Sequence, residues 1–208
     1  MNQRIPIDIR LTNLSKDYNL NFIFSDLNFH IKSGDKLAIL GSNGSGKSTL
    51  VQVIIGYLSP ASGQVNWSFN EKQLPVEKWY KHLTLCTPYT ELPTEFTTIE
   101  IFNFISKFKK PIYSIELFIK KCKLSENSGL PIKNFSSGMI QRLKLGLALL
   151  FDSSIVILDE PSSHLDVSNI IWYQNLIKSE IMDRTLIISS NIAQEYDFCQ
   201  SFLDISTF

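Results

Sequence analysis

The stretch Gly41-Ser42-Asn43-Gly44-Ser45-Gly46-Lys47-Ser48-Thr49 decides how the rest of this chain is read. It satisfies G-x-x-x-x-G-K-[ST], and the apolar run 37–40 before it has the length and composition of a buried strand. Behind it, residues 51–55 continue as an apolar helix, so the glycine-rich turn lies between a strand and a helix N-terminus. Glycines let successive backbone N–H groups curl around an oxyanion, and the helix start adds unpaired N–H groups and partial positive charge. The context therefore predicts a phosphate-binding loop. Lys47 is expected to reach β- and γ-phosphates, and Ser48 to hold Mg²⁺.

Outward from the loop, short apolar runs at 27–31, 36–40, 155–158, 186–188 and 202–205 are bounded by turn residues and read as strands. Helical patterns fall between them, at 48–57 and at 170–181, where Ile170, Tyr173, Ile177 and Ile181 recur at three or four residues. Strands alternating with helices predict an α/β core with a mainly parallel sheet. The first quarter differs: residues 7–11 alternate by two, and Gly34, Pro60 and Gly63 punctuate short strand-like pieces including 65–69. An antiparallel flap near the loop is expected there. From about Pro88 to Phe151, three helix-like stretches are separated by Pro93, Pro111, Gly129 and Pro131, predicting a helical insert. Within it, Ile101, Phe104, Ile105 and Phe108 form one apolar stripe that Phe102 leaves. Phe102 is expected to pack elsewhere in the insert, the alternative being an exposed contact for a partner.

The chain has 208 residues, 44% of them hydrophobic, with 20 Lys and Arg against 20 Asp and Glu. That length suffices for one substantial core or a core plus a small insert. Neutral charge without a long basic block argues against nucleic acid as the main partner. Cys86, Cys122 and Cys199 are widely spaced and odd in number, which suits reduced, buried thiols and a cytoplasmic location. Residues 1–6 lack the apolar segment of a signal peptide, and no apolar run approaches the roughly 20 residues needed to cross a bilayer. Any membrane role is expected to come through a partner.

A second motif is Ile155-Val156-Ile157-Leu158-Asp159-Glu160-Pro161, an apolar strand ending in two acids. With a phosphate loop in the same chain, Asp159 is expected to coordinate Mg²⁺ through water and Glu160 to polarise an attacking water. Pro161 forbids continuation of the sheet, and residues 162–166 turn toward the next helix. A third lies just upstream, Phe135-Ser136-Ser137-Gly138-Met139-Ile140-Gln141-Arg142, where a serine cap opens a leucine-rich helix.

In order and position, this third segment resembles the LSGGQ signature of the ATP-binding cassette family, including the Gln-Arg that follows in many members. The 159–166 run resembles that family's Walker B segment and D-loop. The resemblance covers essentially the whole chain. It implies a P-loop NTPase fold, with a RecA-like parallel-sheet core, an N-terminal antiparallel β-subdomain and a helical insert. Core and β-subdomain would span about 1–87 and 152–208, and the helical subdomain about 88–151, together one cassette over 1–208. It further implies that Tyr18, after Ser15-Lys16-Asp17, stacks on adenine, and that Gly41 to Thr49 bind the phosphates of ATP and Mg²⁺. In the family two subunits close head to tail, as a homodimer or heterodimer. Ser136 and Gly138 of one would face the γ-phosphate held by Lys47 of the other, with Asp166 in the crossing loop. The implied function is ATP hydrolysis that drives a separate membrane-spanning permease from the cytoplasmic face. The insert, with Tyr89 and Phe102, is the expected docking surface.

The chain departs from the family pattern at four positions. Pro88 stands where the glutamine-loop residue is expected, with Tyr89 and Glu91 nearby as substitutes. Asn191 stands at the switch histidine; it can donate one hydrogen bond to a γ-phosphate but carries no charge near neutral pH. Ser137 replaces a glycine, tolerable where the backbone is helical, and Met139 replaces a glutamine. These departures are expected to slow turnover without abolishing it, since Lys47, Ser48, Asp159 and Glu160 are all present. His30 and His82 lack metal-ligand spacing and read as structural, and His164 receives no catalytic role. Two other readings keep the same fold: a soluble ATPase acting on nucleic acid or the ribosome, and an ATP-binding regulator that scarcely hydrolyses. The first usually brings tandem cassettes, coiled-coil arms or basic extensions, none of which is seen here.

Overall fold

The computed structural model distributes its strands between two sheets and describes residues 4–19 and 21–208. Met1, Asn2 and Gln3, part of the segment read above as free of an apolar leader, lie outside the described residues. The N-terminal sheet is built from β1 (Asp8–Tyr18), β2 (Asn21–Ile31), β4 (Ser62–Phe69) and β5 (Lys72–Gln73), in the order β2-β1-β4-β5 and antiparallel throughout. The other contains β3 (Lys36–Leu40), β6 (Leu83–Cys86), β7 (Ile155–Asp159), β8 (Thr185–Ser189) and β9 (Ser201–Asp204), in the order β6-β7-β8-β3-β9, all parallel. Every residue of β7 and β8 is buried, which is why both read as unbroken apolar runs rather than alternating ones.

Register places the ends of three strands side by side. Ser189 of β8 pairs with Ile39 of β3 on one side and with Asp159 of β7 on the other. The carboxyl ends of β3, β7 and β8 are therefore level. That is where open parallel sheets form their ligand crevices.

α1 (Lys47–Ile54) runs from the β3 loop and buries Leu50, Val51, Val53 and Ile54 in a core shared by both sheets, with Ile9, Phe24 and Trp67 from the antiparallel one and Ile39, Ile157 and Ile187 from the parallel one. Trp67 donates its indole N–H to the Ile54 carbonyl (3.1 Å) and stacks at 4.7 Å on Trp79, at the end of the short α2 (Val76–Trp79). The β1–β2 pairing slips at Leu11/Leu14, Leu14/Lys16 and Lys16/Asp17, with Asn13 and Asp26 at φ 47° and 51°. Such bulges bend a strand and steepen its twist.

The remaining helices are α3 (Thr98–Ile105), α4 (Ile115–Lys121), α5 (Ser137–Leu149) and α6 (Val167–Glu180). α3 starts with a reciprocal capping box between Thr97 and Glu100. Its apolar stripe differs from the sequence expectation. Ile101 and Phe102 are the buried pair, with Phe102 held against Phe118 (5.0 Å) and Phe151 (5.3 Å), whereas Phe104 and Phe108 are 42% and 68% exposed. α3 stops at Ile105, so Phe108 lies beyond the helix and out of its period, while Phe104, inside the helix, packs edge-on against Phe96 (6.2 Å) and Phe108 (5.4 Å). Phe102 is thus an inner packing residue, and its alternative reading as a partner contact is overturned.

An ion pair and buried hydrogen bonds tie these helices to the core. Glu180, buried at the end of α6, accepts from Lys121 of α4 (2.7 Å) and from the Tyr113 hydroxyl (3.0 Å). Buried Arg184 donates to the carbonyls of Leu149 (2.8 Å), Phe151 (3.3 Å) and Glu180 (2.6 Å). Among the described residues no helix is long and apolar enough to cross a membrane.

Candidate nucleotide site

Between Leu40 and Lys47 the chain turns with Gly41, Gly44 and Gly46 at φ 148°, 80° and 99°. A Cβ on Gly46 would collide with the Ile23 side chain of β2, and one on Gly41 with the Ser45 hydroxyl. Both positions combine a left-handed backbone with a close neighbour, which only glycine accommodates. Lys47, 5% exposed, arches back over the loop and donates to the carbonyls of Gly41 and Ser42, each at 2.9 Å. No side chain caps α1 and no acid lies in its first turn, so its positive end is unopposed.

Asp159 closes β7 at 2% exposure, and its Oδ1 is buried without a hydrogen-bond partner among the described residues. The hydroxyls of Ser189, its register neighbour, and of Ser45 in the loop share that condition. An unpartnered buried carboxylate oxygen is costly. These atoms fit a site for a cation and phosphate oxygens. Among the described residues there is no group of three or more His, Cys, Asp or Glu placed to hold a metal ion.

Glu160 follows in a left-handed conformation, φ 47°, with its N–H donating to the Ser189 carbonyl (2.9 Å). The backbone thereby leaves the sheet sharply at the acid. The Pro161 carbonyl accepts from Gln141 Nε2 of α5 (2.8 Å), and the Ser162 N–H donates to Glu195 Oε1 (2.7 Å). The turn ends at Asp166, which caps α6; hydrogen bonds from the Asn169 N–H and the Ser168 hydroxyl hold its carboxyl below the usual range. In the sequence Gln141 belongs to the Gln-Arg pair that follows the signature, with nothing to indicate this contact, and Glu195 lies in no motif. Asn191, read as the substitute for the switch histidine, does reach the loop: its Nδ2 lies 2.9 Å from Asn43 Oδ1.

The remaining expected residues stand further out. Tyr18 ends β1, 48% exposed, with Lys16 Nζ 5.1 Å from its ring centre. Ser136 is the N-cap of α5, its hydroxyl accepting from the Met139 N–H (3.3 Å). Ser137 is helical and absent from the positive-φ residues, so serine is tolerated there as expected. Gly138 faces the turn after β7: a Cβ there would lie 3.3 Å from the His164 carbonyl. Pro88 sits in a turn braced by the Thr87 and Thr90 hydroxyls (3.0 Å), and Tyr89 and Glu91 are exposed. His30 pairs with Asp8 (3.3 Å), and burial pushes the Cys86 thiol up to about 12. These groups are structural.

A glycine loop between a parallel strand and a helix, a lysine folded over it, and a buried acid at the end of a neighbouring strand define a P-loop NTPase fold. The model of the ABC transporter family matches residues 24–163, and the chain belongs to that family. Over 197 residues it is 29% identical to the Nod factor export ATP-binding protein I of Rhizobium johnstonii, covering 91% of this chain and 63% of that one. It is 31% identical over 189 residues to the zinc import ATP-binding protein ZnuC of Buchnera aphidicola, covering 88% and 74%. The fold matches that of the ATP-binding cassette MJ0796, solved as a dimer in a post-hydrolysis state bound to ADP and Pi, with a TM-score of 0.79 at 20% identity and coverage of 95% and 94%. The chain thus spans under two thirds of the Nod factor relative's length.

Proposed function

We propose that this chain is the ATP-binding and hydrolysing subunit of a transporter, a single cassette whose helical part occupies about 88–151. The observation that carries the reading is convergence at the level ends of β3, β7 and β8. There the glycine loop with Lys47, the unpartnered Asp159 Oδ1 and the Asn191–Asn43 contact meet.

In this reading Gly41 to Thr49 cradle the phosphates of ATP through backbone N–H groups, and Lys47 turns from its carbonyls to the β- and γ-oxygens. Ser48 and Asp159 are the residues that would hold Mg²⁺, which supplies neutralisation of the phosphate charge. Glu160 orients a water and accepts its proton as the water oxygen bonds to the γ-phosphorus and the bond to the β–γ bridging oxygen breaks. Asn191 donates one hydrogen bond to the γ-phosphate. Tyr18 offers the ring face away from Lys16 to the base.

Ser136 and Gly138 belong to a second site, on the nucleotide of a partner cassette, whether a second copy or a homologous chain; the structural likeness to MJ0796, solved as a dimer, supports the pairing of two cassettes. A separate permease would carry the membrane span, with this chain at the cytoplasmic face and Tyr89 in the contact. The two relatives are named for export and for import, so the direction of transport belongs to the permease.

The test compares wild type with Glu160→Gln. Turnover is expected to fall about 100-fold or more while ATP affinity is kept, because only the proton acceptor is removed. Equal rates in the two proteins would overturn the assignment.

A further inference from the structure

Glu195 is 1% exposed, and no motif of the sequence assigns it a task. One carboxylate oxygen takes the Ser162 N–H at 2.7 Å; the other is buried with no hydrogen-bond partner among the described residues. Burying a carboxylate on a single hydrogen bond is expensive, and a merely structural position would be filled more cheaply by an apolar side chain. Its placement explains the expense. Ser162 lies two residues after Glu160, which itself adopts φ 47° and is tied by its N–H to Ser189. Pro161 between them is held from the opposite side by Gln141 (2.8 Å). Three bonds from three elements, β8, α5 and the 3₁₀ turn Ala193–Glu195, thus fix the segment 160–162.

The same short segment that carries Glu195 also carries Asn191, which touches Asn43 of the phosphate loop. It is anchored beneath by the Tyr173 hydroxyl, which donates to the Glu195 carbonyl (2.9 Å). Residues 191–195 therefore join the loop that binds phosphate to the turn that carries the acid.

We infer that Glu195 is a positioning residue for Glu160, holding the Pro161–Ser162 turn so that the acid stands at the γ-phosphate that Asn191 reports. The inference rests on the hydrolysis reading above. It requires the acceptor oxygen of Glu195 rather than its charge, since the partner is a backbone N–H.

The test uses the full chain and the variants Glu195→Ala and Glu195→Gln, with ATP and Mg²⁺ as the probe and amide hydrogen exchange as a second readout. Glu195→Ala is expected to lower kcat about 10- to 100-fold, the scale of a misplaced catalytic group, with KM for ATP within about twofold of wild type. Glu195→Gln keeps an acceptor and is expected to restore kcat to within about threefold. In parallel, exchange at Ser162 should quicken in the alanine variant, return in the glutamine variant, and stay unchanged across 41–49. Three results would overturn the inference: exchange at Ser162 unaffected by Glu195→Ala, exchange quickened with kcat unchanged, or kcat and KM lost together with no rescue by glutamine. A wild-type rate no higher than that of Glu160→Gln would sink the hydrolysis reading itself, and the positioning role with it, so the two failures are told apart.

Discussion

At Gly41 to Thr49 the backbone is braced from several sides: Ile23 packs onto Gly46, Lys47 spans back to Gly41 and Ser42, and Asn191 reaches Asn43. At Ser136 to Met139 one hydroxyl caps a helix end and one glycine approaches His164. The first region carries its geometry within one chain. The second presents a helix N-terminus and a serine outward, organised only as far as its own cap. In the proposed dimer, binding energy would therefore reside in the loop, and the signature stretch would act on a nucleotide already held.

The strongest challenge to that contrast is Lys47→Ala. Loss of the charge-assisted contacts should cut ATPase activity by about 1,000-fold and weaken ATP binding in the isolated chain, measured by steady-state rates and calorimetry. Ser136→Glu should come next, lowering turnover about 100-fold through like-charge repulsion of the γ-phosphate, yet leaving ATP affinity of the isolated chain unchanged. Mixing the two variants sharpens the comparison, because one of the two interfaces then pairs an intact Lys47 with an intact Ser136. Partial recovery of activity on mixing is expected; its absence would break the composite-site arrangement. Asn191→His should raise turnover roughly tenfold by supplying a chargeable donor beside the loop. The smallest effect is expected at Thr97→Ala, a position in neither region, which removes the α3 cap at a cost of about 1 kcal/mol in chemical denaturation and leaves kcat unaltered.

The parallel core was legible because buried strands such as β7 and β8 are written as continuous apolar runs, and the loop because its spacing leaves few alternatives. The long, bulged β1 and β2 were legible only in part: slips at Leu11 to Asp17 break the two-residue alternation that a strand reading depends on. Phe108 shows a different limit, since a 3.6-residue period holds only while the helix lasts, and α3 ends before it. Of the site residues, Lys47 could be expected from the spacing of its motif, and Asn191 from the resemblance to the family. Gln141 and Glu195 could not, because their partners are the backbone of Pro161 and Ser162, and a backbone leaves no signature in the sequence.

The methyl contact between Ile23 and Gly46 has a mechanical meaning. β2, which carries Ile23, is hydrogen-bonded to β1, which ends in Tyr18. In the proposed function the Tyr18 ring meets the base and the loop meets the phosphates, so the two would be jaws of one caliper whose gap the antiparallel sheet sets. Trimming Ile23 would loosen the gauge without touching either jaw, and the chain should then discriminate less sharply between ATP and bare triphosphate.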